Sequence, residues 1–342
     1  MKFKKPFFIA EISANHNGSI KNAKKLILQA KKYGADAVKI QSYTADTITL
    51  KSNNKYFKIK NGLWRGKNLW DLYKKASTPF EWHEELFNYA KKINITLFST
   101  PFDSTAVDLL ESLNCPFYKI ASFELTDFPL VKRISQTKKP IIISTGTSKL
   151  IEIEKTYNYA KKYGAKEISL LYCVSNYPAK LSDFNLNNIK ILKKKFNCKI
   201  GLSDHSLDEK IAYSSALAGA EIFEKHIALK NVKSHDYKFS LKGKNIKKYK
   251  DTIDSAFKIL GKQNYLIKKG EEKSKFFRKS IFASKEIRKG EKFTKKNLKV
   301  VRPGIGVSSI YFEKLLNKKS PKNINFANPI TKKILKQLKL KI

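Results

Sequence analysis

Residues 7–42 read FFIAEISANHNGSIKNAKKLILQAKKYGADAVKIQS, and the stretch holds a strand, a helix and a second strand in that order. Phe7 to Ser13 and Ala37 to Ser42 are short apolar runs rich in β-forming residues. Between them Ala23, Leu26, Ile27 and Ala30 recur at the three- and four-residue spacing of a helix with one apolar face. The same alternation continues downstream. Further strand-like runs lie at Thr96 to Thr100, Phe117 to Ser122, Ile141 to Thr145, Ile168 to Val174, Lys199 to Ser203 and Glu221 to His226. Helical spacing returns between them, as at Ala106, Leu109, Leu110 and Leu113. Eight such strand and helix repeats within about 260 residues predict an α/β fold, a (β/α)8 TIM barrel rather than an open doubly wound sheet. No GxGxxG or GxxxxGK[ST] loop supports the open sheet.

Two segments depart from this rhythm. Residues 43–80 form a long connection rich in aromatics (Tyr56, Phe57, Trp64, Trp70, Tyr73), and loops of that length inside a compact domain are usually functional lids or ordered excursions. After the last barrel helix the expected division is a catalytic barrel over 1–265, a lysine-rich linker over 266–276 and a small β-rich domain over 277–342. Turn signals at Arg288 to Glu291 and Pro303-Gly304 mark that second unit, which is too short for another barrel. Its last sixteen residues read either as a strand and helix or as a frayed tail.

The charge excludes less than it suggests. A formal net charge of +41 attracts phosphate-bearing polymers without regard to sequence. Yet arginine occurs only at 65, 133, 278, 288 and 302, whereas nucleic-acid surfaces favour the guanidinium fork. The lysines are scattered as pairs beside Asn and Ile, the pattern of solvated faces, so no nucleic-acid partner is expected. Glu11 interrupts the only apolar run that resembles a secretory signal, so a soluble, cytoplasmic protein with no membrane partner is expected. Cys115, Cys173 and Cys198 lie far apart without CxxC spacing, which suits reduced, mostly buried thiols.

In a barrel of this kind chemistry collects at the C-terminal ends of the strands. Those ends carry Glu11 with Ser13, Asn15, His16 and Asn17; Lys39 and Gln41; Ser99 and Thr100; Lys119, Ser122 and Glu124; Ser144, Thr145 and Gly146; Ser175, Asn176 and Tyr177; Ser203, Asp204 and His205; and Glu224, Lys225 and His226. Singly, a strand lysine is usually exposed or ion-paired and a histidine is usually structural. Together, two inward lysines and several hydroxyls facing one mouth form an anion site for phosphate and carboxylate. His205 and His226, at the ends of adjacent strands, suit a divalent ion with positions left for water and substrate. His83 reads as structural, while His235 beside Asp236 is less easily set aside.

The motifs ISANHNGS, GADAVKIQSYT, STPFD, YKIASFE, the Ser144-Thr145-Gly146 turn, GLSDHS and EKHIAL resemble the sialic acid synthase family in order and spacing. SIFASKEIRKGEKFTKKNLKVVRPGIG is similar to that family's antifreeze-like (SAF) domain, so the resemblance runs through nearly the whole chain. GLWRGKNLWDLYKKASTPFEWH, SFELTDFPLV and SHDYKFSL look closest to the branch that makes pseudaminic acid. The resemblance implies a transferase that condenses phosphoenolpyruvate with an amino-sugar aldehyde. It places phosphoenolpyruvate against Lys39, Thr100, Lys119, Ser122, Ser144 and Ser203, and a divalent metal (manganese, magnesium or cobalt) on His205 and His226. Glu11, Glu124, Tyr177 and Asp236 then face the sugar, with Glu224 near the attacked carbon or its water. Either Glu11 or Glu224 is the implied catalytic base. Ser175 stands where relatives often carry Asn, and Arg302 matches the arginine that the small domain inserts into a partner's barrel in a domain-swapped homodimer.

Two rival expectations remain beside this one. The acceptor is N-acetylmannosamine or the precursor of legionaminic acid, with the chemistry unchanged. Alternatively the scaffold is a non-catalytic carbohydrate- or nucleic-acid-binding protein, against which the presence of both histidines, both lysines and Arg302 argues.

Overall fold

The computed structural model describes residues 6–62, 64–262 and 264–341. The chain divides into two compact units, Met1–Gly261 and Lys262–Ile342.

The first unit runs β1 (Phe7–Glu11), α1 (Ile20–Lys32), β2 (Ala37–Ser42), α2 (Ala45–Ile48), α3 (Leu69–Ala76), α4 (His83–Lys92), β3 (Thr96–Pro101), α5 (Ser104–Ser112) and β4 (Tyr118–Ile120). It continues α6 (Phe128–Gln136), β5 (Ile141–Ser144), α7 (Leu150–Lys162), β6 (Ile168–Cys173), α8 (Asn187–Lys195), β7 (Lys199–Asp204), α9 (Lys210–Ala218), β8 (Ile222–Ala228), β9 (Leu241–Lys242) and α10 (Lys244–Leu260). Strands β1 to β8 pair in parallel in chain order, and β8 returns to pair with β1, which closes the barrel. Both faces of such a sheet are covered, so its strands are buried along their length rather than on alternate residues. Phe7, Phe8, Ile9, Ala10 and Glu11 are all buried, as are all seven residues of β8.

Each helix lays its apolar stripe on the strands. In α1 the Ser19 hydroxyl accepts from Asn22 N–H as an N-cap, and Ala23, Leu26, Ile27 and Ala30 are the buried face. Helix α9 ends at Gly219, whose φ of 109° is open to glycine at no steric cost. Cys115 and Cys198 carry thiols that burial pushes up to about 12, so they pack as small apolar groups.

Four expected runs end early: β5 by one residue, at Ser144, and β1, β4 and β6 besides. β1 stops at Glu11 and gives way to a 3-10 turn over Ser13–His16, entered with Ser13 at φ 46°. β4 covers only Tyr118–Ile120, with a second 3-10 turn over Ser122–Glu124, and β6 ends at Cys173. At each of these ends the chain leaves the ladder, so the side chains that follow are aimed by turn geometry.

The second unit has two antiparallel strands, β10 (Ser280–Ala283) and β11 (Leu298–Val301), followed by α11 (Phe312–Leu315) and α12 (Lys332–Gln337). Ile281, Ile287, Phe293, Leu298, Leu315 and Ile324 form its core. The last residues are not a frayed tail: Ile330, Ile334 and Leu335 are buried in the same core. Residues 266–276, expected as a linker, contain 3-10 turns at Lys269–Glu271 and Lys273–Phe277, and the Phe276 carbonyl accepts from Gly304 N–H at 2.8 Å.

Candidate active site

Strand alternation decides which polar residues face inward. Glu11, Lys39, Lys119, Glu224 and His226 are all buried at the C-terminal end of the barrel. Two buried ammonium groups in one mouth are costly unless compensated. Lys39 Nζ is ion-paired with Glu11, lies 3.9 Å from Glu224 Oε2 and donates to Thr100 Oγ1 at 3.0 Å. Burial opposes its charge, but Glu11 and Glu224 hold it above the ordinary lysine range. Lys119 Nζ donates to Ser144 Oγ at 2.6 Å and to the Ile120 carbonyl at 3.0 Å. Among the described residues no carboxylate lies within ion-pairing distance of it, and burial pulls it below the usual range. An anion entering here would meet a lysine with no ion-pair partner among the described residues and would favour its charged form.

The two carboxylates differ. Burial, opposed by Lys39 and reinforced by Glu224, raises Glu11 to about 7. Glu224 is equally buried, yet Lys119 and Lys39 hold it below the ordinary range while Ser203 donates to its Oε1 at 3.0 Å. Between these groups and the next strand, Ser122 Oγ accepts from Gly146 N–H at 3.1 Å, and Ser175 Oγ lies 3.8 Å from Cys173 Sγ.

Beside the lysines lie the two imidazoles, with ring centroids 5.4 Å apart. His205 gives its Nδ1 hydrogen to the Val174 carbonyl at 2.9 Å, which aims the ring and leaves Nε2 as the nitrogen for another partner. His226 Nδ1 is buried, finds no hydrogen-bond partner among the described residues, and lies 3.7 Å from Asp236 Oδ2. Burial first, then His205 and the nearby lysines, keep His226 well below its ordinary pKa and therefore neutral. An orphaned, neutral, buried nitrogen beside a second aimed imidazole is the donor set of a divalent ion, so the residues fit the metal that the sequence motifs imply. No third His, Cys, Asp or Glu completes a cluster among the described residues, so remaining positions would fall to water or substrate.

A cavity of about 450 Å³ opens next to His226 and Asp236. Gln41, Glu124, Tyr177 and His235 line it, and Trp64, Leu69, Leu72 and Tyr73 show that the 43–80 connection builds one wall. Tyr177 stacks 4.3 Å from His205 and 6.1 Å from Trp64. Burial pushes the Glu124 carboxyl up to about 7 and leaves its Oε2 unpartnered, while Asp236 is raised by burial against hydrogen bonds from Ser13 and Ala14.

The barrel thus brings together Glu11, Lys39, Thr100, Lys119, Ser122, Glu124, Ser144, Ser175, Tyr177, Ser203, His205, Glu224, His226 and Asp236, whereas Arg302 follows β11 in the second unit. His83 lies behind them, with Nε2 2.6 Å from Ser42 Oγ and Nδ1 on the Pro79 carbonyl. On this wall Phe102 was legible at the end of its strand, within STPFD, whereas Tyr43 and Phe239 were not singled out, nor were Ile48 and Ile59. Tyr43 and Phe239 sit inside GADAVKIQSYT and SHDYKFSL, which was a signal; Ile48 and Ile59 lie in the 43–80 connection with nothing to set them apart from core aliphatics.

Residues 26–265 match the NeuB family and residues 278–336 match the SAF domain. The chain belongs to the NeuB family. It is 42% identical over 328 residues to a pseudaminic acid synthase of Campylobacter jejuni, covering 96% of both chains. An N,N'-diacetyllegionaminic acid synthase of the same species is 39% identical over 325 residues, covering 94% of this chain and 97% of that one. Among solved structures, an N-acetylneuraminic acid (sialic acid) synthetase from Leptospira borgpetersenii superposes with TM-score 0.70 at 30% identity, covering 79% of this chain and 90% of that one. GLSDHS and EKHIAL, both within the residues that match the family, are the segments that supply the two imidazoles. Among the described residues no helix is long and apolar enough to cross a membrane.

Proposed function

We propose that the protein is a pseudaminic acid synthase, which joins phosphoenolpyruvate and 2,4-diacetamido-2,4,6-trideoxy-L-altrose with water to give pseudaminic acid and phosphate. The observation that carries this reading is the pair of buried lysines, one without an ion-pair partner among the described residues, set beside an orphaned neutral imidazole and an aromatic-walled cavity. The first suits a phosphate and a carboxylate, and the cavity suits a sugar bearing methyl and acetamido groups.

Lys39 with Thr100, and Lys119 with Ser144, hold the anionic ends of phosphoenolpyruvate, while Ser122 and Ser203 complete the hydroxyl lining. Tyr177, Glu124 and Asp236 orient the open-chain sugar, with Ser175 at the border between the two substrates. A divalent ion on His205 and His226 would supply Lewis acidity at the aldehyde oxygen. The methylene carbon of phosphoenolpyruvate bonds to the aldehyde carbon, which leaves the former C2 electron-poor. Water adds there and gives one proton to a carboxylate, which passes it to the oxygen of the former aldehyde. The C–O bond to phosphate then breaks, phosphate takes the bonding pair and the proton left on the new hydroxyl, and C2 becomes the ketone. We assign the proton transfer to Glu11, whose pKa near 7 suits both uptake and release, and the fixing of Ser203 to Glu224.

The legionaminic acid relative at 39% identity supports a second reading with the same chemistry and a different acceptor stereochemistry. The SAF match spans Arg302, which supports assigning that arginine to the barrel mouth of a second copy in a domain-swapped homodimer. We place the enzyme in the cytoplasm. The test is phosphate release with phosphoenolpyruvate and Mn2+, Mg2+ or Co2+, comparing the altrose with N-acetylmannosamine and the legionaminic precursor. Metal-dependent release with the altrose, absent in a His205→Ala/His226→Ala double variant, is expected. Turnover of another acceptor alone overturns the product, and silence with all three overturns the enzyme.

A further inference from the structure

Asp204 and Lys225 stand directly opposite each other on β7 and β8, and each precedes one of the two site histidines. Alternation along a strand turns them away from the interior, toward α10, where Tyr249 meets them. Both are almost wholly buried, with Lys225 Nζ 3.0 Å from Asp204 Oδ2 and the Tyr249 hydroxyl donating to the same oxygen at 3.1 Å. The pair also reaches Ser206, the residue after His205. Ser206 N–H donates to Asp204 Oδ1 at 2.8 Å, and Lys225 donates to the Ser206 carbonyl.

Both backbone polar groups of Ser206 are therefore held by a carboxylate on β7 and an ammonium on β8. From the other side, His205 is held by its own ring hydrogen on the Val174 carbonyl and by its own carbonyl, which accepts from Ala179 N–H at 3.0 Å. A buried ion pair roughly breaks even against well-packed apolar side chains of the same volume, so stability alone does not account for this one. What apolar side chains would not supply is a hydrogen-bonded tie that fixes the chain on both sides of one imidazole to the strand that carries the other.

We propose that the Asp204–Lys225 pair is a positioning device that holds His205 and His226 at ligand spacing and so sets the affinity of the site for a divalent ion. The proposal rests on the metal reading of the two histidines but not on the choice of acceptor sugar. Residues that act on a metal through its ligands typically change affinity about tenfold to a hundredfold when altered.

The test uses the full chain stripped of metal, with Mn2+ titrated and free Mn2+ read by electron paramagnetic resonance. Phosphoenolpyruvate binding is measured in parallel by calorimetry without metal. Lys225→Met and Asp204→Asn are expected to weaken Mn2+ binding about tenfold to a hundredfold, with phosphoenolpyruvate binding shifted less than about twofold. Tyr249→Phe keeps the ring and removes one hydrogen bond to the pair, and is expected to weaken Mn2+ by about threefold. Should the first two variants fail to fold, Tyr249→Phe decides the matter alone. Unchanged Mn2+ affinity in the folded variants, or equal losses for both ligands, would mean a merely structural pair and overturn the proposal. Equal Mn2+ binding by the wild type and His205→Ala/His226→Ala would overturn the metal reading and the proposal with it.

Discussion

Gly146 packs so closely beneath Ser175 that a Cβ on residue 146 would lie 2.2 Å from the Ser175 hydroxyl oxygen and 2.7 Å from that of Ser122. Neither distance is tolerable, so a side chain here displaces both hydroxyls and the Gly146 N–H bond to Ser122. Misplacement of a substrate contact by about 1 Å costs on the order of a hundredfold in rate. Gly146→Ala is therefore expected to lower kcat/KM for phosphoenolpyruvate by about a hundredfold. Steady-state phosphate release with the acceptor saturating checks it, and an unchanged kcat/KM for phosphoenolpyruvate would show that this turn is remote from the anion site.

Glu124 gives a pH prediction. Its carboxyl is raised by burial from 4.5 to about 7 in the fold, so between those values the folded chain keeps a proton that the unfolded chain has lost. Its contribution to stability accordingly falls as pH rises from about 4.5 to about 7, and is flat beyond. Glu124→Gln removes that slope. The variant is expected to be more stable than the wild type at pH 8 by about 3 kcal/mol, the rise from 4.5 to about 7 taken at about 1.4 kcal/mol per pKa unit, and nearly equal to it at pH 4.5. Urea unfolding at the two pH values measures the difference.

Trp64 distinguishes the two proposed substrate positions. It lines the cavity proposed for the acceptor and leans on Tyr177, while the lysines lie on the barrel strands. One lost apolar contact in such a pocket costs about 1–3 kcal/mol. Trp64→Ala is expected to raise KM for the sugar by about tenfold and leave KM for phosphoenolpyruvate unchanged. Parallel rises in both constants would show that the wall also shapes the anion site.

Leu335, wholly buried in α12, tests the role of the chain end. Leu335→Ala leaves a cavity, and such changes cost about 2–5 kcal/mol. The loss is expected in the second unit alone. Trp64, Trp70 and Trp82 are the chain's tryptophans and all lie in the barrel unit, so intrinsic fluorescence should report an unchanged barrel transition while calorimetry shows the smaller one shifted down.

The barrel was legible because a parallel sheet buries both faces of every strand, and runs such as Ala37 to Ser42 and Ile141 to Ser144 carry that signal in hydropathy alone. The ends of β1 and β4 were not, because Ser13–His16 and Ser122–Glu124 fold by turn geometry, and the φ of 46° at Ser13 has no hydropathic signature. The inward lysines and histidines could be read from their places at strand ends. Lys225 stood in the same census but faces α10, and only alternation against Glu224 and His226 separates it from them. The carboxylates could be named but not ranked, since the difference between Glu11 and Glu224 arises from which lysine each one meets in space.

The wall built by residues 43–80 has a consequence for how this scaffold changes over time. The excursion lies between two strands and adds no rung to the barrel ladder, so its side chains are exchangeable without retuning Lys39, Lys119 or either imidazole. A lineage can retarget its sugar by rewriting one insertion while the bond-forming half of the machine is inherited intact.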